Sequence, residues 1–167
     1  MVLAIDPGYE KSGWIYYEGG SKDLPVVDCG VEPNTTILKR LSLLEATNLG
    51  EVVIHPITAV VVETLESFGM PVGRETLETV WWTGRFYQAA ASGVRDIARV
   101  TRRTVKAHIC GTTTAKDANI RMALIDRFGG TEKAIGKKAN QGPLYAVKSH
   151  IWPALAVAVT YWDQKNF

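Results

Sequence analysis

The sequence predicts one α/β domain, spanning residues 1–167, whose sheet has mixed strand directions, and three features of its patterning lead there. Two short runs, residues 2–6 and 59–63, are wholly apolar until an acid ends them, which is the pattern of strands buried on both faces. Directly after the first run come two further apolar stretches broken by turn residues. Segments of helical period fill most of the remainder.

Taken in order, residues 2–6 read as a buried strand ended by Asp6, because Pro7-Gly8 cannot continue a ladder. Residues 14–17 and 26–31, separated by the turn-rich Glu18-Gly19-Gly20-Ser21, continue it as an antiparallel meander. Asn34 caps a helix with the apolar face Ile37, Leu38, Leu41 and Leu44. Residues 59–63 follow that helix and repeat the opening pattern, so they form a parallel, central strand ended by Glu63. Residues 75–91 have helical spacing, and 104–110 read as a fifth strand. Thr113 or Thr114 caps a helix carrying Ile120, Ala123, Leu124 and Phe128, which stops at Gly129-Gly130. Residues 131–145 are polar, basic and without period, and read as a mobile loop. Residues 150–162 read as a last helix packed on the sheet. Several α/β folds share this order.

The net charge of +2 says little about partners, but its distribution says more. From Arg95 to Lys148, arginines and lysines outnumber acids twelve to four, either a solvated surface or an electrostatic footprint for phosphates. Cys29 and Cys110 have no metal-ligand partner at short spacing and read as small buried residues of a reducing compartment. No apolar run approaches the ~20 residues of a membrane span, so a soluble, cytoplasmic protein is expected.

Asp6 and Glu63 carry the chemistry in this reading. On neighbouring strands both carboxylates would leave the sheet at one edge, close enough to share a hard divalent cation. Phosphodiester cleavage uses such pairs to hold ions ~4 Å apart. The other reading of each acid is an exposed strand end.

Ile5-Asp6-Pro7-Gly8, then Val62-Glu63 with Ser67-Phe68-Gly69-Met70-Pro71-Val72-Gly73, Thr83-Gly84-Arg85, and Lys148-Ser149-His150 leading into the apolar 154–158, together resemble a RuvC-type Holliday junction resolvase. The match runs in order over almost the whole chain. The resemblance implies a ribonuclease H-like, five-stranded mixed sheet flanked by helices, a homodimer, and a metal-dependent endonuclease that resolves four-way or other branched DNA. It further implies Mg²⁺ or Mn²⁺, two ions per site. The compact length fits a phage or mobile-element member.

Carried over residue by residue, Asp6 matches the family's first-strand ligand, Glu63 its fourth-strand acid, and His150 the first ligand position of the last helix. The next ligand position, normally aspartate, is Pro153, which supplies no ligand. Glu66 is a candidate substitute from the loop after the strand. Asp163 lies ten residues beyond Pro153, ~15 Å along a helix, too far to serve. Asp117 reads as an N-terminal helix acid. His55 and His108 lack an acidic or histidine partner at useful spacing and read as structural. Phosphate contacts are expected from Lys106, Lys116, Lys133, Lys137 and Lys138. Phe68 resembles the aromatic that resolvases place at the crossover, with a core or dimer-interface role as its alternative. Trp81 and Trp82 read as core and dimer packing. An actin-like phosphotransferase shares the opening acid and glycine turn but needs a far longer chain. A branched-DNA-binding module with weak or no catalysis is the remaining rival.

Overall fold

The computed structural model describes residues 1–21, 25–44, 57–67, 69 and 71–166. Strands β1 (Val2–Asp6), β2 (Lys11–Tyr17), β3 (Val26–Pro33), β4 (Ala59–Thr64) and β5 (Asp96–Thr101) form one sheet in the order β3-β2-β1-β4-β5. β1 is antiparallel to β2, and β2 to β3, whereas β1, β4 and β5 run parallel. The expected five-stranded mixed sheet is present, with the second acid-ended run in the middle of its parallel half. Helices α1 (Asn34–Ser42) and α2 (Arg74–Ala90) cover one face; α3 (Arg102–Cys110), α4 (Asp117–Arg127) and α6 (Ile151–Asn166) cover the other.

Strand alternation assigns each side chain to a face. Leu3, Ile5, Val60 and Val62 pack with Ile37 and Leu41 of α1 and Trp82 and Phe86 of α2. Val2, Ala4, Ala59 and Val61 join the core beneath α6, α3 and α4. By the same alternation Asp6 and Glu63 face the α6 side. Residues 154–159 of α6 are all fully buried, so this helix is apolar all round, as a central helix must be.

Several expectations are corrected. Residues 104–110 belong to helix α3, and the fifth strand is Asp96–Thr101. Thr101 caps α3, its hydroxyl accepting from Thr104 N at 3.1 Å, and Gly111 closes it in the left-handed conformation, φ 70°. Wound as a helix, the segment stacks Val105 and Ile109 on one face against the core. Cys110 therefore ends a helix, and Cys29 and Cys110 are both free and half-buried. Asn34 is the first residue of α1, with Pro33 at the cap position. α4 begins at Asp117 rather than at a threonine cap; Lys116 N donates to Asn119 Oδ1 at 2.9 Å.

Residues 131–145 are not a bare loop. They form the single turn α5 (Thr131–Ala134) and the hairpin β6 (Gly136–Lys137) and β7 (Asn140–Gln141), anchored by fully buried Ala134 and Leu144. Leu144 N donates to Ala134 O at 2.7 Å, which pins the returning chain. Two small apolar anchors amid lysines are too sparse to show a period. Trp82 is buried against Phe86, while Trp81 is 54% exposed, with Arg85 lying over both indoles at 4.7 and 4.6 Å. His55 and Phe68 lie outside the described residues.

Candidate active site

β1 and β4 are paired in parallel with Ile5 opposite Val62, so the next residues, Asp6 and Glu63, stand side by side at the carboxyl ends of the two central strands. Glu63 is 6% exposed and Asp6 half-buried. Burial foremost, then the hydrogen bond and charge of Glu63, pushes the Asp6 carboxyl far above the usual carboxylate range, opposed by Arg102. Both effects favour the protonated form of Asp6 when no other cation balances the pair.

The turn after Asp6 is fixed by a polar network. Asn34 Nδ2 donates to Gly8 O at 2.9 Å, Ser12 Oγ donates to Asn34 Oδ1 at 2.6 Å, and Gly8 N donates to Ser12 Oγ at 3.2 Å. A Cβ at Gly8 would stand 2.4 Å from Lys11 O, so only glycine makes this turn. Ser12, which the sequence reading left outside its second strand, and Asn34, which it read only as a helix cap, are buried polar residues.

Arg102, at the start of α3, was also missed. Its Nη1 donates to both oxygens of Glu63, at 3.2 and 3.4 Å, and its Nη2 lies 2.6 Å from Asp117 Oδ1. Asp117 is the first-turn acid of α4 that the sequence predicts, but it is also drawn into the acidic site through this guanidinium. Arg102 further lines a groove with Arg103, Lys106, Thr113, Leu65 and Glu66. Glu66 is exposed there, on the rim.

On the other side of Asp6 a cleft is bounded by Gly8, Tyr9, Lys11 and His150. His150 immediately precedes α6, behind Ser149, whose positive φ of 41° is a conformation that side chains seldom adopt. Its carbonyl packs so tightly on β2 that a Cβ at Gly13, the partner of Asp6, would come within 2.1 Å of it. Pro153, in the first turn of α6, is half-buried. Lys106 reaches the groove; Lys116 is exposed at the cap of α4. Lys133, Lys137 and Lys138 are exposed on α5 and the hairpin, and none of them lines the groove or the cleft.

His108 does have an acidic partner: its Nε2 lies 2.8 Å from Asp163 Oδ2, and Arg127 Nη1 and Nη2 each donate to Asp163 at 2.7 Å. This cluster ties α3, α4 and α6 together. Burial alone would raise the Asp163 carboxyl, but the hydrogen bonds from Arg127 and His108 outweigh it and hold it below its ordinary value.

The donor chemistry at Asp6 and Glu63 fits a hard divalent cation, since two adjacent carboxylates carry more negative charge than one guanidinium balances. Among the described residues no group of three acidic, histidine or cysteine side chains is gathered in ligating positions, so His150 shares the cleft of Asp6 without completing a cluster.

No protein-family model and no curated protein matches the sequence. Solved structures do. The RuvC of Thermus thermophilus in complex with a Holliday junction substrate superposes with a TM-score of 0.64 at 21% identity, over 98% of this chain and 93% of that one. A second Thermus thermophilus RuvC structure gives 0.61 at 23% identity, over 98% and 95%. With its sheet order, its three layers and a likeness that extends over nearly the full length of both chains, this chain has the ribonuclease H-like fold of the RuvC-type resolvases.

Proposed function

We propose that the chain is a divalent-metal-dependent endonuclease that resolves four-way or other branched DNA. The observation that carries this reading is the adjacent Asp6–Glu63 pair at the strand ends of a RuvC-type fold, flanked by a groove of Arg102, Arg103 and Lys106. Asp6 and Glu63, with His150 from the start of α6, would hold Mg²⁺ or Mn²⁺. The ion, when bound, supplies a hydroxide at neutral pH and charge stabilisation for the phosphate oxygens. The chain itself orients the backbone: the groove cations grip phosphates, and Ser12 and Asn34 keep Asp6 in place. Lys116, Lys133, Lys137 and Lys138 add contacts that carry no sequence information. Phe68, beyond β4, is assigned to the unstacked base at the crossover. Incubating synthetic four-way, flap and duplex DNA with Mg²⁺ or Mn²⁺ should give paired nicks on the branched substrates and little on the duplex.

One observation favours a second reading, a module that binds branched DNA and cuts weakly: Pro153 stands where the resemblance calls for a ligand. A site with one borderline nitrogen in place of a hard oxygen tolerates Mn²⁺ better than Mg²⁺. Cleavage should therefore be faster with Mn²⁺, and Pro153→Asp should raise the Mg²⁺-supported rate. Equal rates with both metals and no response to Pro153→Asp would remove Pro153 from the ligand position. Gel retardation without nicking in either metal would establish the binding module.

The basic hairpin provides another test. Neutralising Lys133, Lys137 and Lys138 together should weaken binding to every DNA shape and reduce the salt slope of log K by roughly 2–3, at about 0.9 per lost phosphate contact. An unchanged slope would leave these lysines as a solvated surface.

We assign the homodimer contact to α2. Leu77, Val80 and Trp81 are exposed on one side of this helix, and Val80 and Trp81 line an apolar groove with Leu38, Gly84, Arg85 and Gln88. Leu77, Val80, Trp81 and Gly84 follow helical spacing, so they make a single stripe. Trp81→Glu should turn a dimer into a monomer in sedimentation velocity while leaving far-UV circular dichroism intact.

A further inference from the structure

We propose that Arg102 takes the place of a second cation, so that each active site holds one divalent ion rather than the two that the resemblance implies; the proposal rests on the nuclease reading above. Its guanidinium donates to both oxygens of Glu63 and pairs with Asp117, so it already occupies the side of the acidic pair nearest α3. It also lines the groove with Arg103 and Lys106, and so stands between the acids and the path open to substrate.

The charges close around a single ion. Asp6, Glu63 and Asp117 together contribute three negative charges, which one divalent ion and one guanidinium balance. A second divalent ion would leave the cluster two positive charges in excess, beside a Glu63 that is almost fully buried, where such an excess is poorly screened. No ligand comes from Pro153, and among the described residues no group of three ligating side chains is gathered, which leaves His150, in the cleft of Asp6, to complete a first ion and nothing beyond it for a second. Both Glu63 oxygens, which a second ion would have to share, already accept from Arg102 Nη1, at 3.2 and 3.4 Å. An arginine suits the task because it keeps its charge at any working pH and presents a planar fork to phosphate oxygens. Placed at the phosphate, such a group stabilises the charge that develops there, as a second ion would.

Mn²⁺ binding to the full chain, followed by titration calorimetry and electron paramagnetic resonance, tests this without reference to cleavage. The parent protein should bind one Mn²⁺ per chain with the spectrum of an isolated ion. Arg102→Gln, which keeps a neutral donor beside Glu63, should bind two, because the positive charge that balances Glu63 and Asp117 is gone; Arg102→Ala should do the same. Arg102→Lys should return to one ion, and Arg102→Gln combined with Asp117→Asn should also hold one. Two spin-coupled ions in the parent, or a single ion in both Arg102→Gln and Arg102→Ala, would overturn the proposal while leaving the nuclease reading intact. No Mn²⁺ binding in the parent would overturn the metal-dependent reading itself.

Discussion

Asp6→Asn and Glu63→Gln should each lower the rate of junction cleavage on the order of 10³-fold or more, with binding retained or slightly tighter. On the proposed reading each change removes an oxygen ligand from a pair that the β1–β4 register sets side by side. The charge stabilisation supplied by a bound ion is worth several kcal/mol, and about 4 kcal/mol corresponds to three decades in rate. Each change also removes a negative charge that repels phosphate, hence the undiminished affinity. Single-turnover cleavage beside gel retardation separates the two quantities, and an active variant of either kind would remove the carboxylate pair from the mechanism.

The same Asp6→Asn variant should be more stable than its parent in the absence of metal. Burial and Glu63 raise the folded-state value of Asp6 above the unfolded one, so its contribution is fully present below the unfolded value and lost as pH rises through the folded value. At neutral pH the folded state thus holds an acid that it would rather keep protonated. An asparagine amide donates to Glu63 without that penalty, and a gain of at least about 1 kcal/mol, the worth of one pKa unit, is expected. Urea unfolding in EDTA at pH 7 and pH 5 should show the gain shrinking toward the lower pH.

Asp163→Ala is expected to have the largest effect on stability. Asp163 is 7% exposed, and its carboxylate receives Arg127 and His108 from two other helices. Removing it leaves the Arg127 guanidinium without its acceptor and the His108 ring without its partner. Because Arg127 and His108 reach solvent, the loss should fall below that of a fully buried pair, at about 2 kcal/mol, or roughly 4–8 °C in Tm. The Asp163 carboxyl is held below its ordinary value, so its contribution is present above the unfolded value near ~4 and lost as pH falls through the folded one. Parent and variant should therefore converge in acid. A difference that persists below pH 3 would mean that packing, not charge, accounts for the effect.

The elements that sequence reading places well are those with a strong local signature: β1 and β4, each an apolar run ended by an acid, and α6, too apolar to lie anywhere but inside. β5 and α3 escaped it for a definable reason. β5 is an edge strand carrying Asp96 and Arg99 on a half-buried surface, so its alternation is broken. α3 opens on a Thr101 cap, a local signal that the strand reading of 104–110 passed over, and is held by the docking of Val105 and Ile109, which is a tertiary fact. The site divides in the same way. Asp6 and Glu63 could be read from position, whereas Arg102 finds Glu63 across 39 residues of chain and His108 finds Asp163 across 55. No spacing rule reaches so far. Asn34 was noticed as a polar residue at a helix start, but its task is to hold the glycine turn behind Asp6.

The burial of α6 has a consequence for how the molecule comes to exist. Every side chain from residue 154 to 159 is sealed between the sheet and the α3–α4 pair, and the strands it covers include β1, Val2–Asp6. β1 and α6, far apart in sequence, thus share one interior. A nascent chain that has made all five strands still shows water an apolar sheet face formed by Val2, Ala4, Ile15, Ala59 and Val61, and it is exposed to aggregation until the last helix arrives. Contacts of such long sequence separation also slow the search for the native state. Because His150 sits at the threshold of that same helix, the step that closes the interior is the step that brings the last candidate ligand to Asp6. On the proposed reading, cleavage should therefore require that α6 has docked on the sheet, and a form of the chain with α6 undocked should not cut.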